Sequence, residues 1–169
     1  MSKSVSANLS LLGVVASVVG CDRFTKQVAV ETLAGEPTQS YFHDMLRLSY
    51  AENPGSFLSL GAQLPESVRF GLFTVGTGIL LVVLALFAIR ARSSTVTRLA
   101  LALFVAGGAS NWVDRVSDGR VIDFLNVGIG SMRTGIFNVA DMAISAGIFI
   151  LLFSEYSRDK TTRHNAARD

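Results

Sequence analysis

Residues 70–89 read FGLFTVGTGILLVVLALFAI, twenty positions with no charge and no proline. A helix rises 1.5 Å per residue, so about 20 apolar residues cross the roughly 30 Å hydrocarbon core of a bilayer. This stretch decides the fold class, and three others repeat its signal. Residues 4–20 are uncharged, and the helix-like pattern continues to about Val30. Residues 96–113 carry only Arg98, near one end where a long side chain can snorkel. Residues 136–153 are interrupted only by Asp141. The sequence therefore predicts an all-α polytopic membrane protein with four transmembrane helices, at about 5–30, 68–89, 96–113 and 136–153.

Composition agrees. Of 169 residues, 50% are hydrophobic and 17% charged, against roughly 25% charged in an average soluble domain. The mean hydropathy is +0.44. A disordered or nucleic-acid-coating chain is excluded, because it needs few apolar and many charged residues. An ordinary soluble enzyme fits poorly. The length suits one domain, expected over residues 1–156, followed by a polar, disordered tail at 157–169. Cys21 is the single cysteine, so no internal disulfide or cysteine-based metal site is expected. His43 and His164 have no motif partners, and zinc chemistry is poorly supported.

Charge sets the orientation. Lys3, the 90–98 loop with Arg90, Arg92 and Arg98, and the basic tail with Arg158, Lys160, Arg163 and Arg168 all fall on one side of four spans. The positive-inside rule makes that side cytoplasmic. Residues 31–67 and 114–135 then face outward. All three prolines, Pro37, Pro54 and Pro65, lie in the first of these segments. There Leu46-Arg47-Leu48-Ser49-Tyr50 alternates like a strand, Asn53-Pro54-Gly55 suits a turn, and Phe57 to Leu60 suits a returning strand. A small extracytoplasmic β element over about 36–62 is expected on the outer membrane surface.

The N-terminus carries an ambiguity. Lys3, an apolar run and Val18-Val19-Gly20-Cys21 resemble a secretory signal that ends in a lipidated cysteine. Three further spans come after it, however, and Cys21 reads more simply as a small buried residue of the first helix.

Ionisable groups in a span are costly, so each needs a partner or a function. Here they cluster toward the expected outer face. Asp22 and Lys26 stand at i and i+4 in the favourable order, as a membrane-edge ion pair. Asn111, Asp114 and Arg115 share a helix face, and Asn138 and Asp141 stand at i and i+3. Asp123 lies in the apolar stretch Val121-Ile122-Asp123-Phe124. Two readings are open for Asp123 and Asp141. They form either a coupled pair that shares one proton, as aspartyl-protease chemistry requires, or two carboxylates each held by an arginine or a helix N-terminus. Asp114 suits a structural pairing with Lys26 or another charge. Arg115 suits either a structural or a substrate-binding role. Asn111 and Asn138 suit either cross-helix bonds or contacts to a substrate backbone. Gly107-Gly108-Ala109 suits close helix packing.

These residues fall into five blocks that resemble one family. Asp22-Arg23-Phe24-Thr25-Lys26 resembles Asp-x-x-Ser/Thr-Lys. Asn53-Pro54-Gly55-Ser56-Phe57 is similar to Asn-x-Gly-x-x-Phe, one residue shorter and with Pro54 in place of the common Thr. Gly107-Gly108-Ala109-Ser110-Asn111-Trp112-Val113-Asp114-Arg115 resembles Gly-Gly-Ala-x-Asn-x-x-Asp-Arg. Gly119-Arg120-Val121-Ile122-Asp123-Phe124 and Phe137-Asn138-Val139-Ala140-Asp141 complete the set. Together they resemble the bacterial lipoprotein signal peptidases, signal peptidase II.

The resemblance implies an intramembrane aspartyl endopeptidase of the bacterial inner membrane. It would cleave the signal peptide just before the lipidated cysteine of diacylglyceryl-modified prolipoproteins. Asp123 and Asp141 would be catalytic. Asn53, Asn111, Arg115 and Asn138 would line the site, with Asp22, Lys26, Asp114 and Gly108 in support. Membrane lipid and globomycin-type inhibitors are further implied partners, with no cofactor and no metal. A transporter and a non-catalytic assembly factor are the competing readings. Paired repeats or broken helices would mark a transporter, and neither pattern is present. The two aspartates argue against a scaffold.

Overall fold

The structure is a computed structural model, and it describes residues 3–55, 60–90 and 94–166. Helix α1 runs over Lys3–Leu33. Two strands come next, β1 (Gln39–Tyr41) and β2 (Leu46–Asn53). A short α2 (Glu66–Arg69) runs through a π-helical turn (Phe70–Gly76) into α3 (Thr77–Arg90). Helix α4 (Thr95–Asp118), strands β3 (Val121–Ile129) and β4 (Met132–Arg133), and helix α5 (Val139–Ala166) complete the chain.

Among the described residues, three helical stretches are long and apolar enough to cross a membrane: Glu66–Ala88, Thr95–Asp118 and Val139–Arg158. Their mean hydropathies are 2.4, 1.3 and 1.5. The helix expected to end near residue 153 continues to Ala166, so much of the expected irregular tail is helical. Cys21 lies in α1 as expected, but it is exposed rather than buried.

Helix α4 is the centre of the helical layer and packs on α1, α3 and α5. Small residues make this possible. A side chain at Gly107 would run into the Ala140 carbonyl of α5, and one at Gly108 would meet Leu81 Cδ2 of α3 at 2.6 Å. Ser94 caps the start of α4 by accepting the Thr97 amide at 3.1 Å. Gly119, at φ 70°, ends it in a left-handed turn that hands the chain to β3.

The sheet is antiparallel in the order β1-β2-β3-β4. It joins strands from both the 31–67 and the 114–135 segments, which corrects the expectation of a β element confined to 36–62. The partner of β2 is β3, seventy residues away in sequence, and the returning strand expected at Phe57 to Leu60 falls mostly outside the described residues. The register runs Leu48↔Leu125, Ala51↔Asp123 and Asn53↔Val121, with one extra β2 residue between Leu48 and Ala51. Such a bulge twists a strand and re-aims the side chains beyond it. Neighbouring strand residues face opposite ways. Phe124 therefore packs on Ala29 and Leu33 of α1, while Asp123 turns toward the helix ends. On its other edge β3 pairs with Phe137: the Leu125 amide donates to the Phe137 carbonyl and the Phe137 amide donates back, each at 2.8 Å. The first turn of α5 is thereby fixed beside Asp123.

Candidate active site

Asn138 is the residue on which the site is assembled. It opens α5 with a reciprocal capping box: its Oδ1 accepts the Asp141 amide at 2.9 Å, and its own amide donates to Asp141 Oδ2 at 3.2 Å. Its side-chain Nδ2 donates to Asp123 Oδ1 at 2.7 Å. One asparagine thus touches both aspartates. Asn53, the last residue of β2, stands diagonally across the ladder from Asp123 and donates Nδ2 to its Oδ2 at 2.9 Å. The Asn53 Oδ1 accepts the Gly55 amide at 3.0 Å, which closes the Asn-Pro-Gly turn.

Asn111 of α4 holds the other carboxylate. Its Oδ1 accepts from Lys26 Nζ at 2.7 Å and lies 3.2 Å from Asn138 Nδ2. These two donors fix the amide orientation, so Asn111 Nδ2 faces Asp141 Oδ1 at 2.9 Å. Lys26 is buried and uses all three of its donors. Besides Asn111 it reaches Asp114 Oδ2 at 2.6 Å and Asp22 Oδ2 at 2.7 Å. Arg23 closes a further ion pair on Asp114 Oδ1. Asp22 is wholly buried; its Oδ1 accepts the Ala140 amide of α5 at 2.8 Å, and its Oδ2 accepts the Ser110 hydroxyl at 2.7 Å. This carboxylate therefore ties α1 to α4 and to the positive end of α5. It is a buried junction of three helices rather than the membrane-edge pair expected from spacing. Among the described residues, no buried side-chain nitrogen or oxygen lacks a partner.

Arg115 donates Nη2 to the Gly55 carbonyl at 2.8 Å and Nη1 to the Asn111 carbonyl at 3.2 Å. It thus pins the shortened second block to α4. A cavity of about 300 Å³ opens beside Asp141, between α3, α4 and α5. Asn111, Arg115, Thr77 and Ser145 are its other polar walls, and Leu80, Phe104 and Ile148 are among its apolar ones.

Burial pushes the Asp123 carboxyl up to about 6, against the two amide hydrogen bonds from Asn53 and Asn138 that favour its ionised form. The neighbouring Asp141 charge pushes the same way as burial. A carboxyl that holds a proton up to about pH 6 beside a second carboxylate can protonate a carbonyl while the other activates water.

All nine polar residues picked out in the sequence converge here, and Gly108 lets α3 approach behind them. Ser110, Arg23 and the Gly55 carbonyl were missed. Ser110 follows the Gly107-Gly108-Ala109 run and carries no signal of its own. Arg23 points from a helix whose neighbours the sequence does not identify. Phe57 lies outside the described residues.

A buried Asp123 and a half-buried Asp141, held between apolar helices and an antiparallel sheet, have the side-chain chemistry of a membrane-embedded protease of aspartic type. Residues 14–157 match the family model of signal peptidase (SPase) II, and the chain belongs to that family. The lipoprotein signal peptidase of Chlorobium phaeobacteroides is 35% identical over 161 residues, covering 88% of this chain and 92% of its own. That of Sphingopyxis alaskensis is 37% identical, covering 78% and 76%. A bacterial membrane enzyme solved by the in meso method at 2.3 Å resolution shares the fold, with a TM-score of 0.77 over 90% of both chains at 24% identity.

Proposed function

We propose that Asp123 and Asp141 are the catalytic pair of an endopeptidase that removes the signal peptide from diacylglyceryl-modified prolipoproteins, cutting just before the lipidated cysteine. The observation that carries this reading is the double grip of Asn138 on both carboxylates, in a site where the contacts to the two carboxylates are all N–H donors of amides. Asp123, with its raised pKa, holds the proton. Asp141, which accepts two N–H bonds at a helix N-terminus, is assigned the ionised role in this proposal.

In the first step Asp141 takes a proton from a water, whose oxygen attacks the scissile carbonyl carbon while Asp123 protonates the carbonyl oxygen. The tetrahedral diol then collapses. The C–N bond breaks, Asp141 passes its proton to the leaving nitrogen, and Asp123 recovers its own from the diol hydroxyl. Asn53 and Asn138 orient Asp123, Asn111 orients Asp141, and Arg115 holds the loop beside them. Asp22, Lys26, Asp114 and Gly108 keep the helices in register.

The reading includes four spans, with the 31-residue α1 as the fourth, in one domain over 1–156. The excess of Lys and Arg in the 90–98 loop and the tail supports cytoplasmic termini, an inner-membrane location and a site toward the outer face. Membrane lipid and globomycin-type cyclic peptides are the further partners of this site.

The test is cleavage of a diacylglyceryl-modified prolipoprotein by purified protein in detergent, with and without chelator. Cleavage is expected to survive chelator and to vanish in both Asp123→Asn and Asp141→Asn. A folded wild type that does not cut, or a variant that still does, would sink the assignment.

A further inference from the structure

Two apolar grooves share the Leu81 wall. One is the 300 Å³ cavity beside Asp141. The other, about 780 Å³, lies between the π-helical turn with α3 and the outer half of α4. The α3–α4 contact separates them, and Leu81, seated on Gly108, walls both. At its outer end the larger groove shares Phe70 and Thr74 with a polar pocket of about 230 Å³ bordered by Arg115, Arg69 and Arg120. Arg115 also borders the Asp141 cavity, so this one side chain stands between the polar pocket at the end of the larger groove and the candidate site.

The grooves differ in what they can hold. Within a membrane a peptide backbone needs hydrogen-bond partners. The Asp141 cavity supplies Thr77, Asn111, Arg115 and Ser145. In the larger groove the lining offers Thr74 and Trp112, and the Trp112 indole N–H is already given to the Thr74 carbonyl at 2.7 Å. Gly78 allows that seam, because a side chain there would stand 2.8 Å from Trp112 Nε1. A hydrocarbon chain needs no partner.

We infer that the α3–α4 groove receives the acyl chains of the substrate's diacylglyceryl group, while the Asp141 cavity receives the peptide. The inference rests on the function proposed above. A lipidated substrate has two apolar arms that leave the scissile bond, and the two grooves lie to either side of Leu81, one of them reaching Asp141 and the other ending at the polar pocket that Arg115 borders. Acyl chains moving from bilayer to protein gain packing rather than burial, so the groove contributes selectivity among chains more than overall affinity.

The experiment compares substrates with long and with very short acyl chains on wild type, Val82→Trp and Ile79→Trp. Both side chains face out of the helical layer and line the groove, so neither change touches the packed core. Leu152→Trp, exposed on α5 and in the wall of neither groove, is the control. The expected result is a rise in KM of about fivefold for the long-chain substrate in the two groove variants, with kcat kept and with the short-chain substrate and the control unchanged. A diazirine at the end of a long acyl chain is expected to label residues 75–83 and 105–116. Cleavage with unchanged KM in the groove variants, an equal change for both chain lengths, or label spread over all helices would overturn the groove and leave the protease standing. A folded wild type that cuts neither substrate would overturn the protease reading and this one with it.

Discussion

Two pairs of carboxylates lie side by side in this protein, joined through Asn111, and they are built from opposite partners. Asp22 and Asp114 are bracketed by Lys26 and Arg23. Asp123 and Asp141 are bracketed by Asn53, Asn111 and Asn138. Cations hold a carboxylate ionised and rigid, which suits a structural junction. Amides satisfy its lone pairs without neutralising it, so the second pair retains a reason to share a proton. Adjacent pairs of one residue type thus divide into scaffold and chemistry by the company each keeps.

The sharpest way to break this comparison is to neutralise one member of each pair. Asp141→Asn or Asp123→Asn is expected to lower the cleavage rate by about 10³-fold or more while the purified protein keeps its thermal unfolding midpoint. Asp114→Asn is expected to do the reverse, with a large drop in the midpoint and a much smaller change in kcat. If both kinds of variant lost activity and stability in equal measure, the division would not hold.

Next comes the cation itself. Lys26→Met leaves Asp22 and Asp114 buried beside each other with their common partner gone, which costs about 3–5 kcal/mol for an uncompensated buried charge. Unfolding in detergent should show it. Adding Asp114→Asn to Lys26→Met should recover part of the loss, because the repulsion is then removed along with the attraction. A double variant no more stable than the single one would mean that Lys26 matters for packing alone.

Much of this division was legible before the structure. The spans are apolar runs because lipid demands it, and an ionisable residue in such a run stands out by its cost. Asp123, Asp141 and Lys26 were visible on that ground. The sheet was only half visible. Strand β2 alternates apolar and polar residues over 46–50, whereas the start of β3 is buried on both faces, against α1 and against the site. It therefore reads as an apolar stretch with no strand period. The bulge between Leu48 and Ala51 leaves no local signature, yet it helps set how Asn53 meets Asp123. Ser110 was invisible for another reason: a hydroxyl in a small-residue stripe declares nothing until Asp22 is known to lie opposite it.

The proton on Asp123 allows a finer test. Its pKa is raised in the folded protein from an ordinary 3.8 to about 6. Relative to an unperturbed aspartate, its contribution to stability is therefore full below 3.8 and is lost as pH rises through about 6. Unfolding measured across that window should fall with rising pH in wild type and less steeply in Asp123→Asn. The pH–rate profile should carry a descending limb at or above the same value, which belongs to the coupled pair rather than to either residue. A flat profile through this range would remove Asp123 as the proton holder.

The smallest effect is expected at the far end of the sheet, where Asp44 reverses the sign. Arg47 grips this carboxylate with Nε and Nη2 at 2.7 and 2.6 Å, and Ser40 donates to it at 2.7 Å. Arg133 reaches it from β4 and also donates to the Asp44 carbonyl at 2.6 Å. The Arg47 grip, helped by the Ser40 hydroxyl, holds the carboxyl well below its ordinary value, so its contribution is present above 3.8 and is lost as pH falls below it. The same contacts close a turn in which Phe42, His43 and Asp44 all have positive φ, at 54°, 55° and 69°, a conformation that costs side-chain-bearing residues energy. Asp44→Asn should therefore speed amide exchange in residues 40–47 and abolish the acid-side dependence there. The cleavage rate should stay within about twofold, because an exposed ion pair is worth little. A large loss of cleavage in this variant would show that the two ends of the sheet act as one unit and that the site depends on ionic partners after all.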